Sequence, residues 1–411
     1  MLALALLAAV GLLATRLPRV PTPHSASLDL VLAAGGLLVL LGFVLGPGIE
    51  LVTRPVLAAL APVSALAIGW IGATLGTFFE WRYVRRIPPG IWLLALVSAG
   101  APFGAVAVTA WLATRAFPNL AAAWAPQLPT VLTLAAVAAV SGSAAVTSVA
   151  QGLGIRRAGT RVFARVAALE TACGALALTV PLALHRPHAP AGHPELGWLY
   201  WIVFAVGSGA LVGLVFLSLT RQRPARGDLG MALLGTLLFG SGIGYAADLS
   251  PFLVCALAAV VVVNWSPHRR QARVLLAAWE RPIYAVFLVM VGALLTLPTP
   301  WILAAVPVLA AARVGARWVS VRYTRIALKL ATLPPHVGLA TVAQGGAALA
   351  LGINYYVVYG DRPERVGTGG AVLTTIALGV GLALLTAPPL LQLVLRPQLP
   401  SNAPADRAMI R

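Results

Sequence analysis

Two ionisable side chains sit deep inside apolar runs. Glu170 lies within Val166-Ala167-Ala168-Leu169-Glu170-Thr171-Ala172-Cys173, and Arg313 within Leu309-Ala310-Ala311-Ala312-Arg313-Val314. A carboxylate in such surroundings can bind a proton or a cation, and a guanidinium can hold that carboxylate or stand in for its ion. Charge in an apolar interior is costly unless paired or hydrated, so such residues mark either a solute pathway or a structural ion pair. The economical expectation is that Glu170 and Arg313 face each other, and both uses of the pair stay open. Thr171, directly after the acid, adds a hydroxyl oxygen.

Two backbone interruptions neighbour these charges. Ser141-Gly142-Ser143 interrupts an Ala/Val run, and Leu333-Pro334-Pro335-His336-Val337-Gly338 interrupts a later one. Proline removes a backbone donor and clashes with the preceding turn, so Pro334 and Pro335 are expected to break or unwind the helix. Freed carbonyls, with the hydroxyls of Ser141, Ser143 and Thr171, would offer oxygen ligands to a cation. Gly and Ser also serve plain helix–helix contacts in membranes, and for the serine triplet both explanations stand. His336, beside the double proline, can carry a proton or cap freed backbone groups.

The elements that must position these groups are membrane-spanning helices. Thirteen hydrophobic segments are read, at roughly 2–16, 28–46, 55–79, 90–113, 128–150, 162–184, 198–220, 229–247, 250–264, 282–297, 300–321, 326–352 and 367–395. Arginine clusters occupy every second connection: Arg82, Arg85 and Arg86; then Arg156, Arg157, Arg161 and Arg165; later Arg269, Arg270, Arg273 and Arg281. Basic residues accumulate in cytoplasmic loops. The alternation therefore places the N-terminus outside and the C-terminus in the cytoplasm, as expected for a multi-pass protein of a cell inner (plasma) membrane. Arg317, Arg322, Arg325 and Lys329 are assigned to one inside flank, and Glu80 to the solvated border after segment three.

Thirteen divides as six plus one plus six. This gives a repeat over about 1–184, a linker helix over about 198–220, a second repeat over about 229–396, and a short cytoplasmic tail over 397–411. An odd linker inserts the two halves in opposite orientation, as in the inverted repeats of many secondary transporters. The two interruptions then occupy the fifth helix of each half. The expected fold is an all-α polytopic membrane protein with discontinuous helices five and twelve meeting near the midplane.

Composition excludes other classes. With 60% hydrophobic and 10% charged residues, a chain of 411 residues is no water-soluble domain. The net charge of +18 sits in short loops at membrane borders, so the partner it implies is the lipid bilayer and no nucleic acid. Cys173 and Cys255 fall on different segments and suggest no disulfide, and His185, His188 and His193 match no metal signature. No metal and no cofactor are expected. The longest connections, 185–197, 265–281 and 353–366, leave no room for a nucleotide-binding regulatory domain. The first segment lacks a basic n-region and reads as a retained helix rather than a signal peptide.

These features together resemble the monovalent cation:proton antiporter superfamily, over nearly the whole chain. Leu45-Gly46-Pro47-Gly48 is similar to the family's Leu-Gly-Pro after helix two. Gly76-Thr77-Phe78-Phe79-Glu80-Trp81-Arg82-Tyr83-Val84-Arg85-Arg86 resembles the family's Gly-Leu-Glu-x-Asp-Leu-x-x-Leu-Arg-Arg, with Glu80 in the Asp place and Phe78 replacing Glu. Ser141-Gly142-Ser143 stands where the family has a Thr-Ser-Pro type break, Arg313 matches the basic residue of helix eleven, and Pro335-His336-Val337-Gly338 looks like its Pro-x-Gly break. The family's helix six carries an Asp-Asp or Asn-Asp pair whose second acid binds the ion. Here the pair reads Glu170-Thr171, so the second carboxylate is missing.

The resemblance implies a secondary transporter that exchanges a monovalent cation, sodium or potassium, for protons. It also implies a homodimer and transport by moving a core bundle against a dimerisation panel. Loss of the second acid keeps two alternatives open: a relative that carries another solute such as an organic anion, or a non-transporting scaffold subunit. No Ser/Lys dyad, Asp pair or His-Glu-x-x-His helix suggests an intramembrane enzyme.

Overall fold

Long apolar runs punctuated by Pro, Gly and Arg fold as helices separated by short turns. A computed structural model describes residues 35–49, 60–143, 146–147, 157–184, 194–221, 226–247, 249–329, 336–359 and 368–395. The expected first segment, the tail, the external histidines, Pro334 and Pro335 lie outside these. Helix α1 spans Gly36–Phe43 and continues as a π-helical turn, Val44–Gly48, around Pro47. Then come α2 (Ala61–Gly76), α3 (Pro89–Ala116), α4 (Gln127–Ala139), α5 (Arg157–Leu184) and α6 (Pro194–Leu219). The rest are α7 (Arg226–Ala246), α8 (Pro251–Trp265), α9 (Arg269–Ala293), α10 (Trp301–Ala327), α11 (Gly346–Tyr359) and α12 (Thr368–Leu395). Proline supplies several starts, where its missing N–H costs nothing. At α8 the Ser250 hydroxyl also caps the Leu253 N–H at 3.3 Å.

Among the described residues, α3, α6, α7, α9, α10 and α12 are long and apolar enough to cross a membrane. Helices α4 and α11 have only 13 and 14 residues. At about 1.5 Å per residue each reaches roughly 20 Å, short of a hydrocarbon core about 30 Å thick. Each stops inside the protein, where the other's chain is interrupted.

The helices form two bundles. One contains α1, α2, α6, α7, α8 and α9, with α8 packed along both α2 and α6 and with α1 along α9. Small residues allow these approaches: a Cβ on Gly72 would strike the Phe252 carbonyl, and one on Gly42 the Val289 carbonyl. The other bundle, the core, contains α3, α4, α5, α10, α11 and α12, with α3 lying against α10, α4 and α5. Contacts of α2 with α11 and of α5 with α6 join the two.

Three expected boundaries shift. Residues 269–281 and 353–359, expected in connections, are helical, and α10 runs on to Ala327. In α9 the cause is amphipathicity: the first turns bury Ala272 and Leu276 while Arg270 faces out. A search for uniformly apolar runs ends too early there.

Candidate functional site

The site forms where the two interruptions cross. Helix α4 ends at Ala139, and Val140 turns extended, with φ −72° and ψ 139°. The second interruption leaves residues 341–345 non-helical before α11 begins. The two strands of chain bond directly: the Gly142 N–H donates to Ala343 O at 2.9 Å, and Ser141 Oγ donates to Thr341 O at 2.7 Å.

A helix end leaves carbonyls without partners, and a bilayer offers no water to take them. Two arginines one turn apart on α10 meet this demand. Arg313 donates from Nε to Ala138 O, from Nη2 to Val140 O and from Nη1 to Val342 O, each at 2.9 Å. Arg317 donates from Nη2 to Ala139 O at 3.1 Å and from Nη1 to Thr341 O at 2.5 Å, and also to Ser141 Oγ. Gln344 Nε2 takes Val137 O at 2.8 Å. Four consecutive carbonyls at the end of α4, Val137 to Val140, are thus held by side chains from across the crossing.

Glu170 of α5 enters the same cluster and is fully buried. Its Oε1 accepts from Ser98 Oγ of α3 and, at 3.4 Å, from Thr341 Oγ1. Its Oε2 lies 3.2 Å from Arg317 Nη1, a charge contact without an aligned hydrogen bond. The expected Glu170–Arg313 pair is therefore corrected: Arg317 is the partner, and Arg313 spans the two breaks. Arg317 is wholly buried rather than part of an inside flank. Spacing of four on one helix puts both arginines on one face, and that was the signal available in the sequence.

Other expected site residues fall as follows. Thr171 Oγ1 faces Ala167 O at 2.7 Å and also Ser141 O, which occupies its hydroxyl proton. Ser143 begins the next helical turn and is half-buried. Gly338 sits in a 3-10 turn, Val337–Leu339, before the break rather than in it, where a Cβ would press on Arg317 O and Val321 of α10. His336 engages Trp318 of α10: its ring stacks on the indole, whose Nε1 donates to His336 Nδ1 at 3.0 Å. Glu80 is not a solvated flank. It is buried and clamped by Arg273 Nη2 at 2.6 Å, with Arg269 Nε at 3.7 Å. Ser98, Thr341 and Gln344 join the cluster without having been singled out as site residues.

Glu170 is the sole acidic residue between 81 and 194, and residues 281–360 and 365–405 hold none. All six core helices fall within these stretches. Among the described residues no group of His, Cys, Asp or Glu could hold a metal ion.

No protein-family model matches the chain, and no curated protein does. Solved structures do match. The structure at pH 8 of the sodium proton antiporter MjNhaP1 from Methanocaldococcus jannaschii aligns with a TM-score of 0.66 at 12% identity, covering 96% of this chain and 99% of that one. An electron-microscopy structure of the same protein gives a TM-score of 0.66 at 13% identity, over 97% and 96% of the two chains. At such identity the likeness establishes the fold: an all-helical membrane protein built as that antiporter is built.

Proposed function

We propose that this chain is a secondary transporter that exchanges a monovalent cation, sodium or potassium, for protons across a cell inner membrane, with its N-terminus outside. One observation carries the reading: a single buried carboxylate, Glu170, stands at the crossing of two broken helices within a bundle of antiporter fold. A proton and a cation compete for that carboxylate, and competition for one acid couples the two fluxes without simultaneous binding.

The ligand set differs from the one read in the sequence. The carbonyls freed by the breaks are engaged by Arg313, Arg317 and Gln344, and Thr171 is turned to Ala167 O. The oxygens beside Glu170 are the hydroxyls of Ser98 and Thr341. A cation seated there displaces Arg317 from Oε2, and Arg317 returns when the site empties, so the carboxylate is never left without a positive neighbour. The core bundle carries the site across while the α1–α2–α6–α7–α8–α9 bundle forms the panel of a homodimer.

The reading is tested by reconstituting the purified chain in liposomes with a pH-sensitive dye inside. A proton gradient is imposed, then sodium, potassium or lithium is added outside. Cation-dependent collapse of the gradient is expected. Folded protein that responds to none of the three overturns the proposal.

A further inference from the structure

Positive charge exceeds negative charge at the heart of the core. Arg313 and Arg317 are both buried, and Glu170 is the only acid the core helices possess. Guanidinium does not lose its proton in proteins. One positive charge is therefore left without a counter-ion in an interior where charge is costly. Carbonyl dipoles soften that cost but carry no net charge.

Beside Arg313 lies a cavity of about 380 Å³ bounded by α3, α4, α10 and α12. Its walls are apolar, with Val106, Leu134 and Ile376, and partly small, with Ala310, Gly379 and Ala383. Pro307 of α10 and Pro389 of α12 also line it. Each proline lies inside its helix and removes a backbone donor there. Among the described residues Arg313 is its one charged lining residue, with Gln344 beside it. A guanidinium has five N–H groups, and Arg313 gives one from each of its three nitrogens to a carbonyl, leaving two.

We propose that this cavity binds a single-chain amphipathic carboxylate, with its head on Arg313 and its hydrocarbon tail along the Ala310–Gly379–Ala383 wall. The cavity volume falls in the range of small-molecule sites, which join apolar walls to a few convergent polar groups. The carboxylate supplies the counter-charge the core lacks. A bilayer phospholipid does not fit the role, because its phosphate stays at the interface, about 15 Å from the midplane, whereas Arg313 lies near the middle of α10. The site is separate from cation exchange at Glu170 and does not depend on it.

The test uses the full chain in lipid nanodiscs, with unfolding followed by the fluorescence of its 11 tryptophans. Dodecanoate is expected to raise the melting temperature by about 2 °C or more, and dodecanol and acetate to leave it unchanged. A dodecanoate with a terminal diazirine is expected to label α10 and α12. That labelling should disappear in Gly379→Leu, which adds bulk at a cavity-lining position where a Cβ meets only open space. Equal stabilisation by dodecanol, no shift with dodecanoate, or labelling that persists in both Gly379→Leu and Ala383→Leu would each overturn the proposal.

Discussion

Arg317 Nη1 lies 3.2 Å from Glu170 Oε2, both side chains wholly buried, and the same nitrogen donates to Thr341 O at 2.5 Å. One guanidinium group thus serves the acid of α5 and the carbonyl of the second break together. Removing Arg317 strands a buried charge and the Ala139 carbonyl, whereas Glu170→Gln leaves Arg317 with Ala139 O, Thr341 O and Ser141 Oγ. Arg317→Ala is expected to cost about 3–5 kcal/mol and Glu170→Gln clearly less. Thermal unfolding in detergent checks the order, and equal losses would contradict it.

Arg313 works through geometry rather than charge alone, since its three nitrogens reach Ala138 O, Val140 O and Val342 O. An ammonium cannot reproduce that planar fork. Arg313→Lys is expected to recover less than half of the stability lost in Arg313→Met, which should be about 2–4 kcal/mol by melting. Full recovery by lysine would show that only the charge matters.

Hydropathy reveals the helical fold because it is a bulk property of a chain in a bilayer. The crossing was only partly legible. Ser141 and Gly142 are visible because they interrupt an Ala/Val run, and Glu170 and Arg313 because charge is rare there. Arg317 was hidden because it falls where the apolar run gives way to Arg322 and Arg325, so it reads as a flank. Pro334 and Pro335 lie outside the described residues, and the non-helical stretch at 341–345, which no local signal marked, is held by partners in the first break and on α10. Which carbonyl each donor reaches is a property of the crossing, and no local pattern encodes it.

At the end of α2, Glu80 bonds Arg273, and Arg273 also donates to Thr77 O at 3.0 Å. Arg273→Ala should destabilise the protein by about 2 kcal/mol, because it removes the direct hydrogen bond of a buried carboxylate and leaves it only Arg269 at 3.7 Å. Arg269 stands 3.7 Å away and is more accessible to solvent than Glu80, so Arg269→Ala should cost no more than about 0.5 kcal/mol. Melting curves of the two variants separate these outcomes.

Gly72 brings α2 against the Phe252 carbonyl of α8. That carbonyl is backbone and cannot swing away. Gly72→Val is expected to force the helices apart and cost about 1–3 kcal/mol, seen as a lower melting temperature. Gly100, where an added Cβ meets nothing, should accept alanine without loss.

Gradient collapse in liposomes, compared between the wild-type chain and Glu170→Gln, examines the role of the buried acid most directly. Exchange at a single carboxylate predicts that sodium or potassium discharges the proton gradient through the wild-type protein. It also predicts that the rate falls to that of protein-free vesicles in Glu170→Gln, with the variant shown to be folded. Undiminished cation-driven proton flux in Glu170→Gln would contradict the mechanism.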